Sequence, residues 1–248
     1  VKWPDFIIIG AMKCGTTALW RNCECHPDIT MGKNPDDPKK TSTEIRFWNN
    51  GDPHRVWKKG FEWYKNLFSN KCSGEKCANY VESPKTIERM KRHIPDVKLV
   101  LCVRDPIARI LSEFWMHNFK PEKISKFPKF ARQHNILRRG EYITQLRRSV
   151  LDWFPRDQIY VVVQERMKNN TVSEMNKLYK WLGLETHDEV ISRLPFGDRD
   201  KNVVGYRNWS TTHGVDMSVN TRKELADHYR GHNVSLFKFM GEEISEWG

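Results

Sequence analysis

Lys13 stands in the turn Gly10-Ala-Met-Lys13-Cys14-Gly15-Thr16-Thr17, directly after Phe6-Ile-Ile-Ile. A lysine inside a glycine-bounded turn is suited to holding an anion. Three consecutive isoleucines behind a phenylalanine read as a buried strand, and the periodic run Ala18-Leu19-Trp20…Cys23 reads as a helix. Strand, glycine-rich turn and helix together form a phosphate cradle, in which backbone N–H groups and the helix dipole face the negative charge. Gly10 and Gly15 have the spacing of a nucleoside-triphosphatase loop, but Thr16 stands where that loop needs its lysine. The turn is therefore a poor ATPase loop.

A second anion site is legible in Val100-Leu-Cys-Val-Arg104-Asp-Pro-Ile-Ala-Arg109-Ile-Leu-Ser112. Arg104 falls at the end of a strand, and Ser112 lies inside the helix that Pro106 opens. Both can reach one phosphate: the arginine brings charge and a forked donor, the serine a neutral hydroxyl.

Around these sites the chain alternates strands and helices. Val97–Val103 and Ile159–Val163 read as strands. Helices are expected over 16–26, 57–68, 84–93, 106–118, 141–154, 172–182 and 221–241, the last one interruptible at Gly231. Segments 32–43, 119–130 and 185–216 read as loops. This alternation predicts an α/β fold, a P-loop-like parallel sheet flanked by helices on both faces, in one domain over 1–248.

The 248 residues carry a net charge of +11, which calls for an anionic partner. Nucleic acid is disfavoured because the basic residues are scattered and no reading motif occurs. No apolar run reaches the roughly 18 residues of a membrane span. The chain starts almost on its first strand, which suggests a trimmed catalytic domain; the compartment would be the Golgi lumen for a eukaryotic source and the cytoplasm for a microbial or viral one. Three N-x-Ser/Thr sequons, at Asn169, Asn208 and Asn233, favour secretion only weakly. Of the six cysteines, Cys72 and Cys77 could pair in an oxidising compartment. His228 and His232 lack a neighbouring third ligand in sequence and read as helix surface, so no metal is expected.

The two phosphate motifs, in this order and each at a strand-to-helix junction, resemble those of sulfotransferases that use PAPS (3′-phosphoadenosine 5′-phosphosulfate), specifically the heparan-sulfate branch. Lys-x-Gly-Thr-Thr-x-Leu is similar to their 5′-phosphosulfate loop, and Arg104 with Ser112 to their 3′-phosphate site. Glu44-Ile-Arg46-Phe47-Trp-Asn49 resembles a segment whose Glu is the catalytic base. Glu75-Lys76-Cys-Ala-Asn79-Tyr80 and Gly140-Glu-Tyr142…Trp153-Phe-Pro155 resemble further segments of that branch.

The resemblance implies Lys13, Glu44 and Lys76 as catalytic residues. It implies Lys13, Cys14, Gly15, Thr16, Thr17, Arg104, Ser112 and Tyr142 as contacts to PAPS, with no metal. Arg46, Phe47, Asn79 and Tyr80 would meet a carbohydrate or small-molecule acceptor. Lys13 would neutralise the leaving oxygen, Glu44 would take the acceptor's proton, and Lys76 would support the sulfonate or the acceptor. Glu44 is expected at a cleft edge lined by aromatics, with a raised pKa from partial desolvation. Arg46 beside it predicts an acidic acceptor.

Departures place the chain within that branch. The 3-O-sulfotransferases carry His and Asp two and five residues after the catalytic Glu; Arg46 and Asn49 stand there. The segment is nearer to the N-sulfotransferase domain of N-deacetylase/N-sulfotransferases. Those enzymes close the cofactor site with a cysteine-bridged basic loop, whereas no cysteine follows Cys102, so Lys201 to Arg207 is the candidate closing segment and Arg207 its cofactor contact. Two other readings are a catalytically silent binder of an acidic glycan or other polyanion, and a P-loop kinase, which Thr16 disfavours.

Overall fold

The computed structural model describes residues 2–36, 43–49, 56–117, 121–186 and 217–247. The three apolar runs become strands of one parallel sheet. β1 (Phe6–Gly10), β2 (Ile29–Met31), β3 (Cys72–Lys76), β4 (Lys98–Val103) and β5 (Ile159–Val163) lie in the order β2-β3-β1-β4-β5. Every pairing is parallel. β1 is buried along its whole length and β4 at all but its first residue. Such continuous burial means that both faces of the sheet are covered.

β2 and β3 escape a hydropathy reading. β2 is three residues long, and β3 reads Cys-Ser-Gly-Glu-Lys with no apolar run. What fixes β3 is shape: Phe6 pairs with Gly74, and a Cβ on Gly74 would fall 2.3 Å from the Phe6 ring. All six cysteines are free thiols. Cys72 opens β3 and Cys77 directly follows it. An extended strand advances about 3.3 Å per residue, which carries the two well beyond the roughly 5.5–6 Å of a bridged pair.

The helices are α1 (Thr16–Glu24), α2 (Gly60–Lys65), α3 (Pro84–His93), α4 (Pro106–His117), α5 (Phe127–Ala131), α6 (His134–Arg138), α7 (Tyr142–Ser149), α8 (Gln164–Asn169), α9 (Thr171–Leu182) and α10 (Val219–Met240). Three expectations are corrected. The basic, proline-containing stretch after α4 is helical, a 3₁₀ turn over Pro121–Lys126 followed by α5. Pro128 sits in the first turn of α5, where a missing N–H costs nothing. α7 stops at Ser149, short of Phe154. α10 runs unbroken through Gly231.

Two cores hold the layers together. The larger packs both faces of the sheet. A smaller one joins α4, α5, α6 and α10 through Ile110, Phe114, Phe127, Ile136 and Leu225. The chain leaves β1 for the edge strand β2, returns to β3 beside β1, then crosses to β4 on its other side. Strand order therefore reverses at β1. In open parallel sheets a crevice forms at such a point, beyond the carboxyl ends of the strands.

Candidate active site

Each strand that borders the crevice delivers one functional element from its carboxyl end. After β1, the turn enters α1 through Gly15, whose left-handed backbone (φ 83°) forms the N-cap without a side-chain cap. Lys13 also has a positive φ of 69°. The first turn of α1 has no intrahelical acceptors for its leading N–H groups, which are free to meet an anion. After β4, Asp105 caps α4: its Oδ1 accepts from the N–H groups of Ile107 (2.6 Å) and Ala108 (3.1 Å). This aims Arg104 and the buried Ser112 into the crevice. The Arg104 guanidinium donates to the Lys13 carbonyl (3.5 Å), tying the two anion elements together.

β3 supplies Lys76. Its ammonium donates to the Thr17 hydroxyl at 2.9 Å and pairs with Glu44 at 3.3 Å. Glu44 lies in an isolated parallel bridge with Lys76. Its Oε1 accepts from the Ala78 N–H (3.2 Å) and its Oε2 from Arg46 Nε (3.2 Å). Burial alone would raise the Glu44 pKa. The Lys76 ammonium, the Ala78 N–H and the Arg46 guanidinium outweigh it and hold the carboxyl below its ordinary value. The expected raised pKa is thus corrected, and the cause is the lysine that the sheet brings alongside.

These residues line one cleft of about 420 Å³, with Lys13, Gly15, Thr16, Thr17, Glu44, Arg46, Lys76, Asn79, Arg104 and Ser112 all on its walls. Arg21, Gln164 and Lys168 line it too and were not singled out by sequence. Gln164 opens α8 at the end of β5, buried, with its Oε1 lacking a protein hydrogen-bond partner. Among the described residues of this lining, six cationic side chains face a single carboxylate. Burial and the nearby Arg104 lower the Lys13 pKa.

Four expected contacts stand behind the cleft instead of in it. Phe47 is fully buried and stacks on Tyr64, with ring centroids 4.2 Å apart. Tyr80 is fully buried and donates to the Glu75 carboxyl at 3.3 Å. Tyr142 donates to the Arg104 carbonyl at 2.7 Å and touches the Cys14 thiol at 3.3 Å. Burial pushes that thiol up to about 11, so it stays protonated. These four side chains shape the walls from beneath. Arg109, from the same motif as Arg104, is also fully buried, bound to Glu113 at 2.6 Å and to the Ile136 carbonyl at 2.8 Å. Arg207 lies outside the described residues.

Sheet order, glycine-bounded turn and basic cleft together define an α/β domain of the P-loop-like kind. The chain belongs to the sulfotransferase domain family, whose model matches residues 3–239. It is 27% identical over 280 aligned residues to the human bifunctional heparan sulfate N-deacetylase/N-sulfotransferase 3, covering 99% of this chain and 31% of that protein. It is 26% identical to the mouse N-deacetylase/N-sulfotransferase 4 over 279 residues, again covering 31% of it. The chain thus spans about a third of the length of these curated relatives. Among solved structures, the sulfotransferase from Alicyclobacillus acidocaldarius superposes with a TM-score of 0.70 at 23% identity, covering 100% of this chain and 99% of that one. The mouse sulfotransferase SULT7A1 complexed with PAP superposes with a TM-score of 0.59 at 15% identity, covering 94% and 84%. These likenesses establish the fold.

Proposed function

We propose that the domain transfers the sulfuryl group of PAPS to a hydroxyl or amine on an acidic, carbohydrate-like acceptor. The observation that carries this reading is the bridge from Glu44 through Lys76 to Thr17. It joins a carboxylate able to take a proton to the helix start that holds the donor's phosphate. The lining also fits a polyanionic donor, having, among the described residues, six cations and no second carboxylate. PAPS supplies the activated sulfuryl group as co-substrate.

The residues act as follows. Lys13 and the N–H groups opening α1 hold the 5′-phosphosulfate, and Arg104 and Ser112 the 3′-phosphate. Lys13 compensates the negative charge that gathers on the leaving phosphate oxygen, where a pre-placed cation lowers the barrier most. Glu44 accepts the proton of the attacking hydroxyl or amine. Lys76 holds Glu44 in register and faces the group in transit. Arg46 and Asn79, on the cleft wall, meet the acceptor. In such transfers catalysis is mostly positioning and charge compensation. The sulfotransferase region of relatives named for heparan sulfate supports a glycan acceptor.

The test is label transfer from sulfur-labelled PAPS to a panel containing an amine-bearing acidic glycan, a hydroxyl-only acidic glycan, a neutral glycan and a phenol. Label should enter an acidic glycan and vanish with Glu44→Gln. If no acceptor is labelled although PAP binds, the protein is a silent anion binder.

A further inference from the structure

A group of metal-ligand side chains lies where α10 crosses the start of α7. His228 and His232 are one helical turn apart on α10, so their rings share a face. Their centroids are 5.6 Å apart. Opposite them is Glu141, the N-cap residue of α7, whose side chain makes no capping hydrogen bond. Its Oε1 lies 3.1 Å from His228 Nε2 and 4.0 Å from His232 Nε2. One ligand atom from each of the three falls within 4.8 Å of the others. The two histidines alone read as helix surface because their third partner is far away in sequence and arrives only through the tertiary fold.

We propose that Glu141, His228 and His232 form a binding site for a divalent transition-metal ion of the zinc class. Two imidazoles and a carboxylate match the borderline ions, zinc, cobalt, nickel and copper. Magnesium and calcium want all-oxygen shells. Metal–ligand bonds of about 2.0–2.2 Å at tetrahedral angles put ligand atoms about 3.3 Å apart. The ion-free spacing needs only a small contraction, which partly exposed side chains can make by torsion. The histidine side chains are 34% and 30% exposed and Glu141 13%, which leaves an entry path and room for water as a fourth ligand.

Two further features hold the site ready. The Thr144 hydroxyl lies 3.1 Å from His232 Nδ1. When Nδ1–H donates to it, the Nε2 lone pair is turned toward Glu141, as outer partners do for ligating imidazoles. The backbones are also pinned together. Tyr229 donates to the Leu137 carbonyl at 2.8 Å, and a Cβ on Gly140 would fall 2.8 Å from the Tyr229 hydroxyl. The residue before Glu141 must be small for α10 to come this close. The site lies outside the transfer cleft and stands independently of the proposed reaction. It would fasten α10 to the helix whose next residue, Tyr142, supports Arg104.

The experiment uses the whole chain, stripped with chelator and dialysed. Zinc should bind at one equivalent by calorimetry and raise Tm, since an ion that binds only the folded state stabilises it. Magnesium should do neither. Cobalt should give the visible bands of a four-coordinate nitrogen and oxygen site without a thiolate charge-transfer band. His228→Ala/His232→Ala should abolish both signals, with its metal-free Tm showing that it folds. Glu141→Gln should weaken zinc at least tenfold, and Thr144→Val by about 10- to 100-fold. The proposal is overturned if the native chain shows no zinc-dependent shift and no cobalt bands. It is equally overturned if the double variant keeps them, which would place the ion elsewhere, or if Glu141→Gln binds as tightly as the native chain.

Discussion

The Lys76 ammonium lies 3.3 Å from the Glu44 carboxylate, and it does most to hold this partly buried acid below its ordinary pKa against the effect of burial. As the proposed base, a carboxylate held in this way is weaker than a desolvated one but is fully deprotonated at neutral pH. The acid limb of kcat/KM should lie below the usual carboxylate range of about 4–4.5, with the rate falling only as pH drops through it. Removing the lysine leaves burial as the dominant influence. Lys76→Met should therefore move the acid limb upward, as a pH–rate profile would show. An unmoved limb would mean that another group titrates.

Glu44→Gln keeps the shape and the hydrogen bond from Ala78 but cannot take a proton. Turnover should fall by about a hundredfold or more, the usual worth of a general base, with PAP affinity nearly unchanged. Single-turnover kinetics and calorimetry separate the two. Retention of most turnover would place the base elsewhere.

Donor recognition should depend on both phosphates. PAP should raise Tm clearly, and AMP, without the 3′-phosphate, far less. Arg104→Ala should erase that difference. Lys13→Ala should abolish transfer while leaving the fold intact, because its side chain serves the cleft and not the core. Equal shifts with ATP and PAP would favour a kinase.

Glu75, on β3, is fully buried, and its Oε1 accepts from the Tyr64 hydroxyl at 2.5 Å. Burial pushes its pKa up to about 8, despite the tyrosine hydrogen bonds. Between the unfolded value of about 4.5 and 8 the folded state holds more protons than the unfolded one, so stability falls as pH rises through that window. The loss is on the order of a few kcal/mol. Glu75→Gln should flatten the change in urea stability between pH 5.5 and 8 and make the variant relatively more stable at pH 8. The Glu44 carboxylate, with its lowered pKa, contributes the opposite dependence only at more acidic pH.

Phe47→Ala should behave as a core deletion. The ring is fully buried against Tyr64, so the expected cost is about 3–5 kcal/mol in urea unfolding. An effect confined to acceptor KM would contradict this placement.

The parts of the site written in apolar runs and turn chemistry were legible: β1, β4, β5, the Lys13 turn and the Arg104–Ser112 pair. What escaped was carried by polar strands and long-range partners. β3 escaped as a strand, although the family resemblance singled out its Lys76: it holds a glycine for Phe6 and a buried acid for two tyrosines, neither of which has a hydropathy signature. Phe47 and Tyr80 look like lining because aromatics beside a cleft segment serve either role, and only burial decides. Gln164 looks like any helix start; its position at the end of β5 makes it part of the cleft. The Glu44 pKa depends on a lysine that pairing of separated segments brings beside it.

The central strand β1 precedes both of its sheet neighbours in the chain: Phe6 pairs with Gly74 and Lys98. Ile7 and Ile8 gain their first strand partners only with β3, and β1 stays open on its β4 side until the chain has grown past Val103, as expected for sheets built on distant contacts. The Lys13 turn cannot take its shape before then, because Ala11 is held by the Cys102 carbonyl at 2.9 Å. Completion of the Lys13 turn is thus a late milestone of maturation, and fragments that end before β4 should need a chaperone to stay in solution.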